Sequence, residues 1–117
     1  MNHRVFVYGS LRREQCSHHL LAEATFCGTA QTEAAYTLLA ISWYPGLITG
    51  GHTAVQGEVY EVSPDALPAL DAYEGEGFVR QSIRLQDHSE ALAWLARPEI
   101  TGDGTPIPSG DWSTYEP

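Results

Sequence analysis

Short apolar runs of strand-favouring residues, separated by glycine, proline and polar clusters, set the hydrophobic pattern of this chain. Alternation of apolar and polar residues over a few positions is typical of half-buried strands. In residues 55–62 this alternation places Glu58 on the same face as Tyr60, so its carboxylate lies either in a pocket or in solvent at the strand end. The pattern predicts strands over residues 5–8, 26–32, 36–41, 55–62, 78–85 and 91–96, the second and third as neighbours and the last two as a hairpin.

Two short helices and an irregular tail are predicted around these strands. The first helix covers residues 16–24, and the second begins with Ser63 as N-cap and Pro64 at the first helical position. The tail, residues 98–117, is rich in proline and glycine, so we expect an irregular cover anchored by Trp112, with residues 113–117 frayed. Because strands and helices do not alternate as βαβ units, the pattern predicts an α+β domain.

The second helix ends on an acid in an unusual position. Leu67 and Leu70 share one helix face, and Glu74 follows four residues after Leu70, just before Gly75. A carboxylate on the packed side of a helix, next to the negative end of the helix dipole, is harder to ionise than a free one. Glu74 is therefore a candidate for proton transfer near neutral pH, and a solvated helix-end glutamate is the alternative.

A second candidate feature is the small-residue turn after the first strand. Tyr8 ends the strand, and Gly9 and Ser10 let backbone N–H groups approach a ligand closely. Successive N–H groups of this kind bind carboxylates or oxyanions, while an ordinary tight turn is the alternative. Further along, the Pro45-Gly46 pair predicts a turn or an irregular strand edge.

Composition narrows the class of protein. With 117 residues the chain forms one domain, residues 1–117, and a net charge of -9 with only six Lys and Arg argues against nucleic-acid binding. The sequence has no apolar run of membrane-spanning length and no leader, so we expect a cytoplasmic protein without membrane contact. Cys16 and Cys27 lack metal-ligand spacing and are expected to be reduced and inert, and the His18-His19 pair has no third ligand. We therefore assign no metal.

Five segments, in this order along the chain, resemble the gamma-glutamylcyclotransferase-like superfamily, in particular its short bacterial and plant AIG2-like members. Each segment alone is short and weakly specific, whereas five in register over nearly the whole chain make a specific match. The segments are Val7-Tyr8-Gly9-Ser10-Leu11-Arg12, Tyr44-Pro45-Gly46, Gly57-Glu58-Val59-Tyr60, Leu70-Asp71-Ala72-Tyr73-Glu74-Gly75 and Ser109-Gly110-Asp111-Trp112.

The resemblance implies a fold and a reaction. The fold would be a small, closed or nearly closed mixed β-barrel with one or two short helices and a pocket between residues 8–11 and Glu74. The reaction would cyclise a gamma-glutamyl amine or gamma-glutamyl amino acid to 5-oxoproline and release the amine, as an acyltransferase or lyase without cofactor. Glu74 would be the general acid and base. The implied substrate-binding residues are Tyr8, Gly9, Ser10, Leu11, Tyr44, Pro45, Gly46 and Arg80.

Two positions leave alternatives open. Phe78 stands where many members of this superfamily carry Tyr, so a phenolic hydroxyl that could hold substrate is missing. Arg80 either faces a substrate carboxylate or forms an outward ion pair. The competing functions are a non-catalytic module that binds a small carboxylate or acyl-amino metabolite and, with less support, a protein-interaction domain.

Overall fold

The computed structural model describes residues 2–9, 21–41 and 44–115. An eight-stranded mixed sheet curls into a half-barrel with two α-helices, which confirms the predicted small α+β fold. The strands are β1 (His3–Val7), β2 (Thr25–Gln31), β3 (Tyr36–Ile41), β4 (Tyr44–Thr49), β5 (Gln56–Val62), β6 (Phe78–Arg84), β7 (Glu90–Ala96) and β8 (Thr105–Pro106). The helices are α1 (Ala66–Glu74) and α2 (Pro98–Thr101), followed by a 3-10 turn at Trp112–Thr114. No helix among the described residues is both long enough and apolar enough to cross a membrane.

Strand β7 is the centre of the sheet, whose order is β2-β5-β1-β7-β4-β3-β8 with β6 also on β7. The predicted hairpin is confirmed, because β6 pairs antiparallel with β7 along its whole length. Strands β1 and β4 run parallel to β7 and contact it through single pairs, Val5 with Leu92 and Leu47 with Leu95. Since a strand has two edges and β6 occupies one, β1 and β4 share the other. The sheet therefore divides between β1 and β4.

The prediction that the second and third strands are neighbours is wrong. Strand β2 pairs with β5, whereas β3 lies between β4 and β8. The reason lies at Thr32, which is fully buried and whose backbone and hydroxyl both bond to the backbone of Val55. This residue also bridges to Leu85, so the chain crosses from one half of the sheet to the other instead of reversing on itself.

Pro45 and Gly46 lie inside β4, so of the two placements predicted for this pair, a turn or an irregular strand edge, the turn is wrong. They pair with Ala40 and Leu39 of β3. Proline is tolerated at the start of a strand, where its missing N–H is not needed by the ladder. Gly46 is required because a Cβ there would lie 2.9 Å from the Cβ of Ala96 and would overlap the Ile41 side chain.

Helix α1 begins later than predicted, with Asp65 and not Ser63 as its N-cap. The carbonyl groups of Ser63 and Pro64 accept the N–H groups of Ala66 and Leu67 at 3.0 and 3.2 Å, so these two residues form a turn that leads into the helix. The predicted inward face is present, because Leu67 and Leu70 are both buried. Of the helix predicted over residues 16–24, all but residues 21–24 lie outside the described residues.

The C-terminal segment is more regular than predicted. It contributes α2 and the short β8, which pairs with β3. Trp112 packs against the core and stacks on Tyr115 with ring centroids 5.5 Å apart, as expected for an anchor. The Asp111 carboxylate accepts the N–H and the hydroxyl of Ser113 at 3.0 and 2.7 Å. Residues 113–115 are thus hydrogen-bonded and not frayed, and residues 116–117 lie outside the described residues.

Candidate active site

Tyr8 marks the point where β1 leaves the sheet. Its side chain is buried, and its hydroxyl donates to the Trp94 carbonyl oxygen at 2.5 Å and accepts the Leu47 N–H at 3.2 Å. Burial raises the pKa of the Tyr8 phenol, and the negative charge of Glu74 raises it further. The phenol therefore stays neutral and joins β1 to β7 and β4. Because its only proton is already donated, the Tyr8 hydroxyl is not free to donate to a substrate.

Gly9, which follows Tyr8, lies against the start of β4. A Cβ on Gly9 would come within 2.8 Å of the Pro45 Cγ, so the backbone of Gly9 passes directly over the Pro45 ring. Two segments that the sequence analysis assigned to one pocket are thus in contact. Ser10 and Leu11 lie outside the described residues.

Glu74 ends α1 on the side of the helix that faces the sheet. Leu67 and Leu70 fix this orientation, because they are buried in a cluster with Trp94 from β7. Glu74 itself is half-buried, and burial raises the pKa of its carboxyl group to about 7. This rise in pKa has the direction that the sequence analysis predicted, and its cause is the loss of hydration on burial. The negative charge of Glu74 is one cause of the raised pKa of the Tyr8 phenol, which places the end of α1 near the end of β1.

Asp71, one turn before Glu74, connects the helix to the sheet. Its Oδ1 accepts the Trp94 Nε1–H at 2.8 Å, and its Oδ2 lies 3.0 Å from the Arg80 Nη1. Arg80 thus forms the ion pair that the sequence left open as an alternative to substrate binding. Sequence reasoning did not assign a role to Asp71 or Trp94. The available signal was the position of Asp71 three residues before Glu74, on the same side of a helix.

Phe78 lies between the helix end and β4. Its ring is 6.1 Å from the Tyr44 ring, centroid to centroid, which brings another sequence-predicted pocket residue to this region. An open depression of about 550 Å³ adjoins it. Glu74 and Gly9 are not among the described residues that line this depression. The residues lining it include Asp71, Gly75, Phe78, Arg80, Trp94 and Arg97.

Glu58 is a second acid near the β1 end. It is buried, with 6% of its surface exposed, and its Oε1 accepts the Tyr60 hydroxyl at 2.9 Å. It lies opposite Val7, the last residue of β1. Of the two placements that the sequence left open, the structure has the buried one.

The described residues do not contain a cluster of three or more His, Cys, Asp or Glu side chains that could hold a metal ion. His18, His19 and Cys16 lie outside the described residues. Cys27, on β2, is a free thiol and is exposed.

Known proteins resemble this chain over nearly its whole length. The family model described as "Gamma-glutamyl cyclotransferase, AIG2-like" matches residues 5–114. The gamma-glutamylcyclotransferase family protein YtfP of Escherichia coli K12 is 38% identical over 112 residues, covering 93% of this chain and 95% of that protein.

Solved structures agree with this relationship. A uropathogenic E. coli-specific protein superposes with a TM-score of 0.91 at 28% identity, covering 98% of this chain and 95% of the other. An AIG2-like protein from mouse gives a TM-score of 0.77 at 26% identity, covering 94% and 88%. The chain is therefore a member of the gamma-glutamyl cyclotransferase, AIG2-like family, as its five sequence segments predicted.

Proposed function

We propose that this protein cyclises a gamma-glutamyl amine or gamma-glutamyl amino acid to 5-oxoproline, with Glu74 as general base and then general acid. The observation that carries the proposal is a half-buried carboxyl group whose pKa is raised to about 7, next to the end of β1. Such a group exists in both protonation states near neutral pH, which is the condition for effective proton shuttling.

The proton balance of the reaction defines the work of Glu74. The α-ammonium group of the substrate must lose a proton before its nitrogen can attack the γ-carbonyl carbon. Attack forms the new C–N bond, the nitrogen loses a second proton, and the bond from the γ-carbon to the leaving nitrogen breaks. Two protons leave the attacking nitrogen and two reach the leaving amine, so one carboxyl group that carries one proton at a time completes the cycle.

The turn after β1 would stabilise the substrate. Backbone N–H groups of Gly9, Ser10 and Leu11 would bind the α-carboxylate or the negative charge that develops on the γ-carbonyl oxygen. The contact between Gly9 and Pro45 supports this role, because it fixes the start of the turn against β4. Since nucleophile and electrophile belong to one molecule, the site mainly has to hold the substrate in a folded, near-attack shape.

The test is incubation with a panel of gamma-glutamyl amines and dipeptides, followed by detection of 5-oxoproline. The matched control substrate carries an acetylated α-amine, which keeps the γ-amide but cannot attack it. We expect release of 5-oxoproline from at least one free-amine substrate and none from its acetylated form. Absence of release across a broad panel would contradict the proposal.

The second candidate is a non-catalytic module that binds a small carboxylate or acyl-amino metabolite at the same site. Two observations favour it: Phe78 lacks the hydroxyl that many relatives have, and Arg80 is already paired with Asp71. Calorimetric binding of a gamma-glutamyl compound without any turnover would support this module over the enzyme.

A further inference from the structure

Both carboxylate oxygens of Asp71 and its backbone carbonyl are engaged. Oδ1 accepts the Trp94 Nε1–H at 2.8 Å, and Oδ2 lies 3.0 Å from the Arg80 guanidinium. The backbone oxygen accepts the Gly75 N–H at 3.0 Å, the bond that closes the end of α1. One residue therefore closes the last helical turn and ties it to β6 and β7.

The two side-chain contacts differ in strength. The side chains of Arg80 and Asp71 are 34% and 44% exposed, so water and salt screen their ion pair. Trp94 is only 3% exposed, and its indole N–H would lose its acceptor without Asp71. A buried donor without an acceptor is costly. The bond to Trp94 is therefore the contact that fixes the helix end.

The same tryptophan connects this helix end to the β1 end. The Trp94 carbonyl accepts the Tyr8 hydroxyl, and Gly9 follows Tyr8 directly. Through its side chain and its backbone carbonyl, Trp94 thus links the helix that carries Glu74 to Tyr8 at the end of β1.

We propose that Asp71 is a positioning residue, which through its hydrogen bond to Trp94 holds the last turn of α1 so that the Glu74 carboxyl group stays beside Tyr8. This inference rests on the proposed role of Glu74 in proton transfer. Asp71 itself does not move a proton.

The kinetic test compares Asp71→Ala and Trp94→Phe with wild type. Misplacement of a reacting group by about 1 Å can lower a rate by about 100-fold, so we expect kcat for 5-oxoproline release to fall roughly 10- to 100-fold while KM changes less than about 3-fold. The double variant should be no slower than the slower single variant, because both substitutions remove the same bond. Asp65→Ala is the matched control, an exposed acid at the other end of α1 without a side-chain capping bond.

Asp71→Asn separates position from charge. It removes the same negative charge as Asp71→Ala but keeps an oxygen that can accept the Trp94 N–H. If Asp71 acts by position, the Asn variant keeps a kcat close to that of wild type. If Asp71 acts by charge, the Asn variant loses as much activity as the Ala variant, and the proposal is wrong.

A carbon-13 NMR titration of the Glu74 carboxyl group provides a readout that does not depend on turnover. In Asp71→Ala and Trp94→Phe, release of the helix end should hydrate Glu74 and move the pKa of its carboxyl group, measured as the titration midpoint, from about 7 toward the ordinary glutamate range. In Asp71→Asn this midpoint should not move. The elements around this helix end carry other titratable or charged groups. They are Tyr8 after β1, Glu58 and Tyr60 on β5, Arg80 on β6, Arg97 after β7, and Tyr73 and Glu76 at the helix end.

The outcomes distinguish the two proposals. An unchanged midpoint and an unchanged kcat in Trp94→Phe, a variant that keeps an aromatic ring in the core, would overturn the positioning role. If wild type releases no 5-oxoproline, the proposed reaction is wrong. If in that case the Glu74 titration midpoint is still lowered in Asp71→Ala and Trp94→Phe and kept in Asp71→Asn, Asp71 remains the residue that positions Glu74.

Discussion

The side chain of Glu74 is half-buried at the end of α1, beside a phenol that also avoids ionisation. Burial favours the neutral acid over the carboxylate, and this raises the pKa of Glu74 from 4.5 to about 7. The same raised pKa that suits proton transfer has a consequence for folding, because the unfolded chain exposes this group to water. Glu74 should therefore make the stability of the fold depend on pH.

We expect the free energy of unfolding to fall as the pH rises between 4.5 and about 7. Between these values the folded state binds more protons at Glu74 than the unfolded state does, so raising the pH favours unfolding. The full effect is at most about 3 kcal/mol, at 1.36 kcal/mol for each pKa unit. Urea unfolding at about pH 5 and about pH 8 measures it.

Glu74→Gln is the control for this measurement, because it removes the ionisation and nearly keeps the size of the side chain. The variant should show a smaller difference between the two pH values and be more stable than wild type at the higher one. An equal difference in both proteins would assign the pH dependence to other groups.

At the scale of the elements, Gly9, which follows β1, is in close contact with β4. Gly9 lies over Pro45 of β4. At Gly46, the next residue of β4, the Ile41 and Ala96 side chains leave no room for a Cβ. Both glycines are therefore explained by close approach of a neighbouring element. Gly9 is thus held in place by packing, which is the condition for its N–H group to act as a fixed donor.

Gly9→Ala should weaken binding of a gamma-glutamyl compound by about 10-fold or more, because its Cβ would meet the Pro45 Cγ at 2.8 Å and shift the turn. Calorimetric titration of the folded variant measures the loss. The double variant Gly9→Ala with Pro45→Ala removes the atom that the new Cβ meets, so it should recover part of the affinity. Unchanged affinity in Gly9→Ala would remove this turn from the site.

At the scale of the whole molecule, the sheet divides where β1 and β4 share one edge of β7. The Tyr8 hydroxyl joins the two sides there, since it bonds to the Trp94 carbonyl of β7 and the Leu47 N–H of β4. A buried side chain thus provides hydrogen bonds where the ladder between strands is interrupted. The candidate site lies at this division.

Tyr8→Phe should lower the free energy of unfolding by about 2–4 kcal/mol, because it leaves a buried carbonyl and a buried N–H without a partner. Urea unfolding measures the loss. Tyr115→Phe is the matched control, since Tyr115 is half-buried at the edge of the core and should lose less. A loss in Tyr8→Phe no greater than in the control would contradict the structural role of the hydroxyl.

Local sequence patterns predicted the elements better than their arrangement. The strand at Tyr36–Ile41 and the hairpin of β6 and β7 follow from alternation and turn residues, and the inward placement of Glu74 follows from helical spacing. The adjacency of β1 and β4 on β7 depends on pairs distant in sequence, which a local pattern does not contain. For the same reason Asp71 was missed, because its partners lie on other strands.

The most direct test of the central claim compares Glu74→Gln with wild type on a substrate that wild type cyclises. The amide keeps the size and some hydrogen bonding of the side chain but cannot carry a proton, and general acid and base catalysis is typically worth about 10²–10⁴ in rate. We predict that kcat for 5-oxoproline release falls by that factor or more. The calorimetric affinity for the same gamma-glutamyl compound should stay within about 3-fold, because proton transfer matters mainly in the transition state. Full turnover by the Glu74→Gln variant would contradict the account.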